Sequence, residues 1–99
     1  MNSVIPIKIE KLIYTKHARL EQFREEKGII EFTPKAFYKV GCKSCNTERD
    51  GTFRAIYIYD DRKDLHLIIN PVTHEVVTNF IKFCDNKGIY KGRFRFTRQ

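Results

Sequence analysis

No uninterrupted apolar run in this 99-residue chain approaches the ~20 residues that a membrane-spanning helix needs. The first residues, Met1-Asn2-Ser3-Val4-Ile5-Pro6, lack the basic-then-apolar layout of a signal peptide. Membrane and secreted classes are therefore set aside, and a cytoplasmic protein is expected. Tryptophan is absent, and no low-complexity linker or internal repeat is visible among the three prolines and five glycines. The length corresponds to one domain over residues 1–99, large enough for a modest core but not for two. With 41% hydrophobic and 13% aromatic residues that core can form, so wholesale disorder is not expected.

Acids are missing from residues 87–99, where Lys87, Lys91, Arg93, Arg95 and Arg98 supply five of the seven net positive charges. Tyr90, Phe94 and Phe96 are interleaved with them. Such an end suits a polyanion, because Lys and Arg displace counterions and rings stack on bases. A solvated tail, or a last strand with Phe94 and Phe96 turned inward, remains open. The alternation of the rings is that of a strand, not the single face of a membrane-surface helix.

Cysteines are few and odd in number: Cys42, Cys45 and Cys84. In an intracellular protein they are expected as free thiols before a disulfide. Gly41-Cys42-Lys43-Ser44-Cys45 also resembles half of a zinc knuckle, which Cys84 with His66 or His74 would complete.

Residues 4–13 alternate imperfectly and read as an opening strand, with Pro6 favouring an edge. Thr15 is placed to cap a helix over 16–27 that stops at Gly28. Leu20 and Phe23 make its apolar side, Ala18 and His17 its margins, and Glu21, Arg24 and Glu25 its charged face. Residues 29–32 read as a short extended or turn segment, and Pro34 is placed to open a brief helical turn. From there the period becomes two. Residues 36–40 read as a strand, 41–51 as a polar loop, and 52–59, 65–70 and 75–83 as strands joined by turns at 60–64 and 71–74. The expected class is α+β: an N-terminal strand and amphipathic helix packed on an antiparallel β-meander. The second face of the meander would be a binding surface or a second packed layer, and Tyr57 and Tyr59 are core residues or, as candidate nucleic-acid contacts, base-stacking rings.

Tyr14-Thr15-Lys16-His17-Ala18-Arg19, then Lys27-Gly28-Ile29, a strand containing Arg54, and Glu75-Val76-Val77-Thr78-Asn79-Phe80 follow a familiar order. Over residues 12–82 the chain resembles the small toxin ribonucleases of the BrnT type within the RelE-like group. It departs from their pattern at Lys27, where Arg is common, in the C-x-x-C loop and in the basic end. The resemblance implies a RelE-like fold, RNA as partner, metal-independent endoribonuclease activity, and a protein antitoxin or a second copy as a binding partner. Cleavage through a 2′-hydroxyl needs a proton carrier near neutrality and fixed cations around the phosphorane. On that scheme His17 is the base or acid, Arg19 and Arg54 hold phosphate, and Thr78 donates a hydrogen bond. No metal or other cofactor is required, and Asp60-Asp61 reads as a turn, not a magnesium site.

Each residue also has a plainer role: His17 packing at a helix margin, Arg19 and Arg54 pairing with Glu21 or Glu25, Thr78 as a β-branched strand residue. His66 alternates with Leu65 and Leu67 and should face away from them. Two further classes stay open. One is a non-enzymatic nucleic-acid-binding or regulatory protein of a virus or phage, the Ile/Lys/Tyr-rich composition being similar to that of small archaeal filamentous-virus proteins. The other is a protein-interaction module docking through a sheet edge or aromatic face. Convergence of His17, Arg19 and Arg54 in one cleft would favour catalysis; Arg54 facing elsewhere would leave binding.

Overall fold

A computed structural model describes residues 8–25 and 32–90. Its elements are β1 (Ile13–Tyr14), α1 (Lys16–Glu25), α2 (Pro34–Val40), β2 (Ser44–Thr47), β3 (Phe53–Asp60), β4 (Lys63–Ile69) and β5 (Glu75–Phe83). The strands form one mixed sheet in the order β1-β5-β4-β3-β2. β1 runs parallel to β5, and the other pairs are antiparallel. The expected α+β class and the meander of the last three strands are therefore present.

Strand β3 shows how the sequence divides the sheet. Phe53, Ala55, Tyr57 and Tyr59 are buried, while Arg54, Ile56, Ile58 and Asp60 between them are half-exposed. The pleat sends these two sets to opposite faces. Register aligns Tyr57 with Leu65 and Ala55 with Leu67, so one face collects the core. Both helices cover that face. Phe37 of α2 lies edge-on to Tyr57 at 5.8 Å, and Phe32 lies edge-on to the same ring at 4.9 Å. The Tyr57 hydroxyl donates to the Phe37 carbonyl at 2.8 Å, satisfying one of the acceptors that a helix C-terminus leaves unpaired. Burial pushes the ionisation of that hydroxyl up strongly, so it stays a donor.

Thr15 caps α1 as the sequence predicts. Its Oγ1 accepts from Ala18 N at 3.1 Å and donates to Val76 O at 3.0 Å, tying the helix start to β5. The apolar side of the helix differs from expectation. Ala18 is fully buried, whereas Leu20 is half-exposed. The small alanine lets the helix backbone approach β5 until Asn79 Nδ2, itself buried, donates to Ala18 O at 2.7 Å.

Three local expectations are corrected. Residues 36–40 belong to α2, not to a strand: Pro34 occupies the first helical position, where its missing N–H costs nothing, and Phe37 N donates to Thr33 O at 2.8 Å. The loop 41–51 contains the edge strand β2, which pairs along β3 from Ser44–Ile56 to Thr47–Phe53. The hairpin between them closes on Asp50, whose carboxylate accepts from the Thr52 N–H and hydroxyl, and on Gly51 at φ 90°. The opening strand is confined to Ile13–Tyr14 among the described residues; 1–7 lie outside them, as do Lys27, Gly28 and Ile29.

Tyr57 and Tyr59 are likewise corrected as stacking rings. Both point into the core beneath the helices and present no face to a base.

Candidate functional site

The other face of the sheet is covered by no described helix, since α1 packs on the core side of β5 and α2 on the core side of β3. Its cross-strand rows follow from the register. Arg54 lies beside Ile68 and then Thr78; Ile56 beside His66 and then Phe80; Ile58 beside Asp64 and then Lys82. Long side chains on adjacent rows reach each other diagonally.

Arg54, His66 and Phe80 meet there. The His66 and Phe80 rings stack with centroids 5.0 Å apart and planes 13° apart. The Arg54 guanidinium carbon sits 5.7 Å from the Phe80 centroid, within range of a cation–π contact. Arg54 Nη1 is 3.1 Å from His66 Nδ1. A guanidinium has only donors, so Nδ1 accepts and the imidazole carries its proton on Nε2. Burial lowers the His66 pKa, and the Arg54 charge lowers it further. The ring is therefore neutral near pH 7, and its Nε2–H has no partner among the described residues. On its other side Arg54 Nε donates to Glu48 Oε1 at 2.6 Å, and Asn46 Nδ2 donates to Glu48 Oε2 at 3.0 Å.

A polar clamp closes one end of this face. Lys43 Nζ donates to Asp64 Oδ2 at 2.9 Å, Asn86 Oδ1 at 2.8 Å and Cys84 Sγ at 3.1 Å. Burial alone would lower the Lys43 pKa, but the bonds to Cys84 and Asp64 outweigh it, and the ammonium is held in its charged form. Asn86, fully buried, donates to Asp60 O, Lys63 O and Asp64 Oδ1. Beyond the end of β5 a hollow of about 530 Å³ is lined by Arg62, Phe83, Cys84, Asp85 and Lys87.

The expected catalytic residues separate into two groups. Arg54 and Thr78 share the helix-free face. His17 and Arg19 are exposed on α1, which lies against β5 on the opposite side of the sheet. The cleft in which His17, Arg19 and Arg54 would meet is therefore not formed. Of the expected nucleic-acid contacts, Lys87 lies exposed at the hollow; Lys91, Arg93, Arg95 and Arg98 lie outside the described residues.

None of Cys42, Cys45 and Cys84 is joined in a disulfide. Cys42 is in the core; burial and the neighbouring Cys45 raise its pKa to about 11. Cys84 is engaged by Lys43 instead. Among the described residues no three His, Cys, Asp or Glu side chains are placed to share a metal ion.

Sequence reasoning offered His66 only as a possible zinc ligand and assigned no binding role to Phe80 or Glu48. For His66 a signal was present, because its alternation with Leu65 and Leu67 already turns it to this face. Glu48 carried none, because the hairpin that returns it to Arg54 was read as loop.

No helix among the described residues is long and apolar enough to cross a membrane. Comparison with protein-family models, curated proteins and solved structures finds no match.

Proposed function

We propose that this domain is RelE-like and binds RNA across the helix-free face of its sheet, with Arg54 as the phosphate contact and Phe80 as the stacking platform. The observation that carries the reading is the Arg54–His66–Phe80 cluster. It joins a cation with unused donors, a neutral ring N–H and an aromatic face, drawn from three adjacent strands. Phosphate is held by forked donors, and bases stack on rings with little regard to sequence. Lys82 on the same face, and Arg62 and Lys87 at the hollow, add the diffuse positive field that draws in a polyanion.

Metal-independent cleavage of the RelE/BrnT type is the second reading, favoured by the presence of Arg54, Thr78 and a histidine on one face. It ranks second because His66 Nδ1 is engaged by Arg54 and its Nε2 carries the proton. That arrangement donates to a phosphate oxygen but does not take a proton from a 2′-hydroxyl.

Fluorescence anisotropy with a labelled single-stranded RNA of mixed sequence, over a salt series, tests binding. Arg54→Gln should weaken it and reduce the log–log salt slope by at most about 0.7, the full value for one phosphate contact on a single strand. Phe80→Leu should weaken it by about 1–3 kcal/mol if one base stacks there. Unchanged affinity in both variants would remove this face from the interface. Incubation of the RNA in EDTA beside His17→Ala and His66→Gln tests cleavage. Cutting lost only in His17→Ala would return the chemistry to α1. Absence of both binding and cutting would direct attention to a protein partner, an antitoxin or a second copy.

A further inference from the structure

We propose that Glu48 is a resident competitor for the Arg54 anion site, so that an RNA phosphate enters by displacing its carboxylate. The inference rests on the RNA-binding reading above and adds a residue that sets the affinity of the site.

A guanidinium holds an oxyanion best through two parallel N–H bonds, along the edge formed by Nε and Nη2 or the edge formed by the two terminal nitrogens. In this structure both edges are half engaged. Glu48 Oε1 accepts from Nε at 2.6 Å, and His66 Nδ1 accepts from Nη1 at 3.1 Å. Nη2 has no partner among the described residues. His66 is 95% buried and stacked on Phe80, so it is fixed in place. Glu48 sits in the hairpin between β2 and β3, and its side chain keeps 28% of its exposure. Of the two partners, then, Glu48 is the one that water can take up. Once it leaves, the Nε–Nη2 edge is open for bidentate phosphate.

The charge balance points the same way. Arg54 and Glu48 together are neutral, so incoming phosphate exchanges one anion for another instead of meeting a free cation. Asn46 steadies the carboxylate through Oε2 at 3.0 Å, which raises the threshold for that exchange.

Glu48→Gln keeps the shape and an oxygen for Arg54 Nε but removes the competing charge. In the full chain it should tighten binding of the same labelled single-stranded RNA about 2- to 5-fold, the range expected for an exposed ion pair. It should also steepen the salt slope by up to about 0.7. Arg54→Gln/Glu48→Gln should bind no more tightly than Arg54→Gln alone. An equal gain in both backgrounds would make Glu48 a distant repulsive charge and overturn the proposal. If Arg54→Gln weakens binding while Glu48→Gln changes only the melting temperature, Glu48 is a hairpin brace; the competitor fails and the RNA reading stands. If neither wild type nor Glu48→Gln binds RNA, both fall together.

Discussion

Replacing Asn86 by alanine removes a fully buried side chain that ties four groups together at the end of the sheet. Its amide has two hydrogens for three acceptors, so the loss is closer to three full bonds than to four. One is to neutral backbone, worth about 1 kcal/mol, and two involve the charged Lys43 and Asp64, worth about 1.5–3 kcal/mol each. The gross loss is then about 4–7 kcal/mol. Lys43 is a quarter exposed, so water can enter from that side and restore part of it. The expected net loss is about 2–4 kcal/mol, out of the ~5–15 kcal/mol typical of such a domain. Melting should fall by roughly 10–25 °C. Urea unfolding followed by circular dichroism measures this, with Asn86→Ala, Lys43→Met and the double variant compared. The double variant should lose less than the sum of the singles, because both remove the same bond. A loss below about 1 kcal/mol, or strict additivity, would mean that the clamp behaves as an exposed ion pair and the reasoning is wrong.

The His66 pKa is lowered on folding, so the unfolded chain binds the extra proton first. Its contribution is complete above the unfolded value near 6.5 and declines as pH falls below it, by at most about 1.4 kcal/mol per unit. Urea midpoints at neutral and mildly acidic pH should diverge for wild type and not for His66→Gln; parallel behaviour would place His66 in solvent. Tyr57→Phe should cost about 1–2 kcal/mol by leaving the buried Phe37 carbonyl unpaired, with RNA affinity unchanged. Weaker binding at unchanged stability would bring Tyr57 back to the surface. Cys42, with its pKa raised to about 11, should be the last thiol alkylated by iodoacetamide at neutral pH, read by peptide mass mapping; modification of Cys42 ahead of Cys84 would contradict its burial.

Much of the fold is legible in local pattern because the forces behind it are local. Alternation of Phe53, Ala55, Tyr57 and Tyr59 against Arg54, Ile56 and Ile58 divides β3 as it stands, and the same rule turns His66 away from Leu65 and Leu67. Thr15 announces its helix because a hydroxyl at that place satisfies an orphan N–H whatever the rest of the chain does. The segment after Pro34 was misread because a short apolar run is compatible with helix and strand alike. Packing of Phe37 on Tyr57 and Phe32 arbitrates between them.

By its own pattern, then, the sequence determines the strands of the meander, the capped helix and the membership of each sheet face. Which face receives the helices is not in that pattern, because both carry enough apolar surface to be covered; long-range packing of Ala18 on Asn79 and Phe37 on Tyr57 chooses. The same holds for the site. Arg54, His66 and Phe80 lie far apart along the chain and become neighbours only through strand register, including the shift between Ile68 and Ile69. Register depends on pairing between distant segments, whereas the alternation that makes each strand depends only on its own residues.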